Sequence, residues 1–140
     1  MGYTPTTALA ELTDQHARLR ELIARCDELA DALDAGEIGP TQLLREVARL
    51  RIAFDTHNTF EEQQLRPMLL DADWLGAVRV SRMVEDHVEE HRAMRGAMRD
   101  AAGSATTSEL RAVLAGLREH LASEERYFLS RKVLRDDLAG

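Results

Sequence analysis

Five histidines stand in the sequence, His16, His57, His87, His91 and His120, and two glutamates share their spacing. His57-x-x-x-Glu61, His87-x-x-x-His91 and His120-x-x-x-Glu124 are each four residues apart. That interval puts two side chains on one face of an α-helix, one turn from each other. Neutral imidazoles and ionised carboxylates are lone-pair donors, and together they suit borderline transition-metal ions. In an ordinary core they are costly. A polar group buried without a partner costs about 1–3 kcal/mol, and an ionised one more. Ions held in common remove that cost. One pair of this kind is weak evidence; three pairs and a lone His16 point to a metal site.

The elements that must position these residues are helices. Each candidate interrupts an apolar stripe that advances by alternating steps of three and four, the seam of a helical bundle. Leu12, Leu19, Ile23, Cys26, Ala30 and Leu33 flank His16. Leu43, Val47, Leu50, Phe54, Leu65 and Met68 flank His57 and Glu61. Val80, Val84, Met94 and Met98 flank His87 and His91, and Leu110, Val113, Leu117 and Phe128 flank His120 and Glu124. The punctuation gives helices over about 7–35, 40–70, 74–102 and 108–134, with Thr6 or Thr7 capping the first and Pro40 opening the second. Asp73 caps the third, Thr107 or Ser108 the fourth, and Pro67 kinks or shortens the end of the second. Connections this short make consecutive helices antiparallel, so the expected fold is one all-α domain over 1–140, an up-down-up-down four-helix bundle.

Depth along the helices tests that arrangement. His16 lies 20 residues before Gly36, and His57 lies 17 after Pro40. His57 is 14 residues before Asp71 and His87 is 14 after Asp73, while His91 is 12 before Gly103 and His120 is 14 after Thr106. At about 1.5 Å per residue these levels agree within one helical turn. All seven candidates fall in one slab of the core.

Composition agrees and excludes other classes. The 140 residues are 44% hydrophobic and 31% charged but only 4% aromatic, which argues against a β-sandwich or barrel. The net charge of -7 and the lack of a basic stripe argue against nucleic acid as a partner. No apolar run is long enough to span a membrane, no signal-peptide pattern opens the chain, and Cys26 is a lone cysteine. A reducing, cytoplasmic location is expected. No catalytic Ser/His/Asp set or phosphate-binding glycine loop is present, so no catalytic residues are assigned.

Ferritin-like di-iron bundles use Glu-x-x-His pairs. The residues three before the histidines here are Thr13, Phe54, Val84, Val88 and Leu117, which excludes that pattern. A structural zinc site would need four ligands, usually with thiolates. Seven imidazole-rich ligands suit two ions, with iron first for oxygen or redox chemistry.

The lone His16 followed by HNTFEEQQLRPML, EDHVEEH and HLASEERYFL resembles the hemerythrin-like, or HHE cation-binding, domains from about His16 to Leu129. The resemblance implies two iron ions joined by an oxo or hydroxo bridge. By it, His87, His91 and His120 hold one iron, His16 and His57 hold the other, and Glu61 and Glu124 bridge them. One position then stays open on the iron with two histidines, and in the family dioxygen binds there. Oxygen carriers of the family have an aspartate five residues after the last histidine. Glu125 occupies that place here, and Glu124 is preferred because it repeats the His57/Glu61 spacing. Glu125, Glu62 and Tyr127 are the alternative ligands or outer partners of the imidazoles.

The expected partner is therefore dioxygen or another small diatomic or peroxide ligand, and the expected function is oxygen binding, sensing or storage. The competing class is a redox enzyme or stress protein acting on hydrogen peroxide or nitric oxide, or an iron store or donor.

Overall fold

A computed structural model describes residues 2–72, 85, 88, 89, 91–93, 96, 107–127 and 129, with side chains at all of these except 70–72 and 127. The described residues are helical apart from short caps and turns, and none is in a strand. Helix α1 spans Pro5–Asp34 and α2 spans Pro40–Phe60. A π-helical turn, Glu61–Leu65, carries α2 into α3, Arg66–Ala72, and α4 spans Thr107–Tyr127. Residues 85, 88, 89, 91–93 and 96 are also helical. Most of the expected third helix, including Trp74, Val84 and His87, lies outside the described residues, as do Phe128 and the expected end of the fourth.

The start of α1 differs from the expectation. Thr4, and not Thr6 or Thr7, is the N-cap: its hydroxyl accepts from the Thr7 backbone N–H at 3.2 Å, and Thr7 Oγ1 accepts from the Thr4 N–H at 2.8 Å. Pro5 explains the earlier start, because its fixed φ suits the first helical position and its missing N–H leaves nothing unpaired there. At the other end Gly36 takes φ +73°. Its N–H bonds to Leu33 O and the Glu37 N–H to Ala32 O, so two carbonyls at the helix end are satisfied and the chain reverses toward Pro40. Tyr3 packs edge-on against Phe60 at the opposite end, ring centroids 4.8 Å apart. Helices α1 and α2 therefore run antiparallel.

Helix α4 also runs antiparallel to α1, and surface ion pairs mark the register. Arg111 bonds to Asp31 and Asp34 at 2.7 Å each, Arg118 to Asp27, and Arg20 to Glu125 at 2.6 Å. Each rung climbs seven residues on α4 as it descends seven from Asp34 to Asp27 to Arg20, two turns per step.

Pro67 does not end the second helix. Its ring would strike the carbonyl of Gln63, four residues back, in a regular α-helix. The wide turn just before it relieves that contact, with the Arg66 N–H reaching Glu61 O across five residues. The extra residue per turn also shifts the seam: Leu69, and not Met68, is buried after Leu65. On α4 the buried apolar positions are Leu110, Leu114, Leu117 and Leu121, while Val113 is only half-buried.

Among the described residues the core has two apolar parts. The larger gathers Leu19, Ile23, Cys26, Leu50, Phe54, Leu117 and their neighbours from α1, α2 and α4. The smaller comprises Leu12, Leu65 and Leu69, covered by Leu9, Phe60, Met68 and Leu129. Between them lies a layer of buried polar side chains.

Candidate metal centre

The layer is built where each helix stripe changes from leucine to a lone-pair donor. On α1 His16 stands between Leu12 and Leu19. On α2 His57 and Glu61 stand between Phe54 and Leu65, with Glu61 opening the π-helical turn. On α4 His120 and Glu124 follow Leu117. His91 joins them from the segment between α3 and α4. Each of these six side chains is buried to 2% exposure or less.

Their donor atoms converge. His16 Nε2 and His57 Nε2 each lie 3.2 Å from Glu124 Oε1, and His120 Nε2 lies 3.3 Å from it. His57 Nε2 also contacts Glu61 Oε1. His91 Nε2 lies 3.8 Å from both Glu61 Oε2 and Glu124 Oε2. Two overlapping groups result, one of His16, His57, Glu61 and Glu124, the other of His91, His120 and Glu124, with the donor atoms of each group within 4.8 Å of one another. Glu124 belongs to both. The rings pair accordingly, His16 with His57 and His91 with His120, at 4.9 Å between centroids in each pair. Phe54 packs against three of the rings, 6.0 Å from those of His91 and His120 and 6.5 Å from that of His57.

The donor set fits metal ions. Neither ring nitrogen of His16 makes a hydrogen bond among the described residues, although Nε2 is 3.2 Å from Glu124 Oε1. His16 Nε2 thus reaches the shared space without being aimed at a carboxylate, while His57 Nε2 bonds to Glu124 Oε1 at 3.2 Å; lone-pair donors crowded so closely suit a cation between them. The electrostatics point the same way. Burial alone would raise the Glu124 carboxyl, yet Glu61 and the imidazoles of His120, His16 and His57 hold it well below the usual range. Burial alone would lower the His57 imidazole, yet Glu124 and Glu61 carry it up to about 9. A proton on His57 and a metal ion compete for the same lone pair.

The structure separates the two candidate carboxylates on α4. Glu124 is 1% exposed and faces the imidazoles; Glu125 is 37% exposed, bonded to Arg20, with Oε2 3.6 Å from His16 Nδ1. Arg20 first, and its charge with that of His16, holds Glu125 below the usual carboxylate range against a modest burial effect. Glu62, 36% exposed, lies 4.0 Å from His91 Nδ1. Both therefore sit on the outer side of an imidazole. His87 and the Tyr127 side chain fall outside the described residues.

Two polar residues escaped the sequence reading. Gln15 Oε1 lies 2.8 Å from His57 Nδ1. Asn58 is fully buried, and neither of its amide atoms has a hydrogen-bond partner among the described residues. Both lie one residue off the seam beside a candidate ligand, where a polar residue ordinarily faces water; adjacency to His16 and His57 was the only signal. Cys26 is buried in the larger apolar cluster, and burial first, then Glu46 and Asp27, push its thiol up to about 12. That is a packed thiol and no nucleophile.

Comparison with known families agrees with this geometry. The Hemerythrin HHE cation binding domain matches residues 7–131. Searches of curated proteins and of solved structures gave no match. The chain belongs to the Hemerythrin HHE cation-binding family, and its buried histidine–glutamate group suits the metal binding for which that family is named.

Proposed function

We propose that this HHE-domain chain is a non-haem di-iron protein that binds dioxygen, with its helices in up-down-up-down order as one domain over 1–140. The observation that carries the reading is Glu124, a buried carboxylate common to two imidazole groups. In this reading His16 and His57 would hold one iron and His87, His91 and His120 the other, with Glu61 and Glu124 serving both. The antiparallel register of α1 with α2 and with α4 supports the topology.

Bound iron supplies electrons that a diatomic ligand can take up and return. The chain supplies the rest. Two carboxylates offset the positive charge of the ions in a dry layer, where such an interaction is far stronger than in water. Phe54, Leu19 and Ile23 close the layer on one side and Leu12 and Leu65 on the other, which limits entry of bulk water. An ion held by His16 and His57, with one imidazole fewer than its neighbour, would be the one to take an added ligand. A chain with one cysteine fits the reducing, cytoplasmic setting that belongs to this reading, and among the described residues no helix is long and apolar enough to cross a membrane.

The test is to load the protein anaerobically with iron, count the ions bound per chain, and follow its visible absorption on mixing with air. A stable band that disappears when oxygen is removed supports binding. Rapid decay of the band with consumption of added peroxide or nitric oxide supports the redox enzyme instead. Release of iron without any band supports a store or donor. Failure of the protein to bind iron overturns all three.

A further inference from the structure

Outside the polar layer, α1 and α2 leave a solvent-open cleft of about 270 Å³ whose lining includes Glu11, Asp14, Gln15, Arg18, Thr56 and the outer edge of His57. The side of the imidazole that faces away from the centre is nearly closed off from water in this cleft, His57 being only 2% exposed. Gln15 stands between them. Its Oε1 lies 2.8 Å from His57 Nδ1, and its Nε2 donates to Glu11 Oε1 at 3.1 Å.

Donor and acceptor chemistry fixes every proton in this chain. A carboxylate only accepts, so Glu11 takes the NH₂ end of the Gln15 amide. The carbonyl end must then face His57. A carbonyl also only accepts, so Nδ1 must carry a proton, and the lone pair of the neutral ring is left on Nε2, the atom that faces Glu61 and Glu124. His16 has no equivalent among the described residues, where its Nδ1 meets Glu125 only at 3.6 Å, without a hydrogen bond.

We propose that Gln15 is a positioning residue for His57, holding its ring in the Nδ1–H form with Nε2 aimed inward, and that Glu11 sets the direction of the Gln15 amide. The proposal rests on the metal-binding reading above. Neither residue touches the shared space itself. Gln15 acts through His57, and Glu11 acts through Gln15 from the cleft.

Zn²⁺ is a suitable probe, being diamagnetic and bound by imidazole. Its affinity is measured by competition with a chelator, and the His57 ring proton by ¹⁵N-imidazole NMR of the zinc-loaded protein. Gln15→Leu is expected to weaken binding by roughly 10–100-fold and to abolish the slowly exchanging His57 Nδ1–H signal. Glu11→Lys is expected to do the same from a distance, because an ammonium group draws the amide oxygen outward and turns the NH₂ toward His57. The exchanged pair Glu11→Gln/Gln15→Glu restores an acceptor facing Nδ1 and should recover both the signal and most of the affinity. Should Gln15→Leu fail to fold, the Glu11→Lys and exchanged-pair proteins decide the question. If the variants bind zinc as the unaltered protein does, with the same Nδ1–H signal, the positioning role is overturned while the metal reading stands. If the unaltered protein binds no zinc, the metal reading falls first and the positioning role with it.

Discussion

Two regions of this core are equally dry and chemically opposite. Leu114, Leu117 and Leu121 are as buried as His120 and Glu124, on the same helix and within three turns of them. The leucine region is stabilised by burial itself, about 1.5–3 kcal/mol for each large apolar side chain. The polar layer gains nothing comparable: its groups lose hydration and recover it only through one another or through an added ion. Equal burial therefore does not mean equal contribution. A fold that keeps six such side chains in its interior keeps them for what they bind.

The contrast can be broken experimentally. Leu114→Ala, in the apolar region, should cost about 2–5 kcal/mol, by the same amount with and without added metal in denaturant titrations. A decrement that depends on metal would show that the two regions are not separate. Glu124→Gln should behave in the opposite way. Metal at a thousand times its dissociation constant stabilises the folded chain by about 4 kcal/mol, and this variant should lose most of that, because its carboxylate belongs to both imidazole groups. An undiminished metal-dependent rise in melting temperature would remove Glu124 from the centre.

Cys26 sharpens the apolar side. Its thiol is pushed up to about 12, first by burial, whereas an unfolded thiol ionises near ~8.5. Below that pH the cysteine contributes no pH dependence. Above it the unfolded chain sheds a proton that the folded chain keeps, so stability should fall by up to about 1.4 kcal/mol per pH unit. Cys26→Ser should flatten that slope, and thiol labelling at pH 8 should wait for unfolding. The smallest effect is expected at Asn58, whose amide has no partner among the described residues. Asn58→Leu should stabilise the chain by about 1 kcal/mol. A loss of metal affinity in this variant would instead draw Asn58 into the polar layer.

Much of this was legible along the chain. Residues three and four apart must share a helix face, so the apolar stripes fixed which side of each helix turns inward, and the interruptions at His16, His57, Glu61, His91, His120 and Glu124 fall inside as expected. Helix ends were less legible where two signals competed. Thr4 with Pro5 displaced the Thr6 or Thr7 cap, and Pro67 was absorbed by a wide turn that moved the seam from Met68 to Leu69.

Spacing within one helix, being a property of the local backbone, determined that lone-pair donors would be buried and at what depth. What it could not determine was rotation between helices, which depends on side chains far apart in the chain meeting in space. That packing put Glu124 against three imidazoles and left its neighbour Glu125 with Arg20 at the rim. It also brought Gln15 to the back of a ring 42 positions away. The Arg20 and Gln15 contacts have no local cause and could not be read from the sequence, whereas the four-residue spacing to His120 alone already favours Glu124.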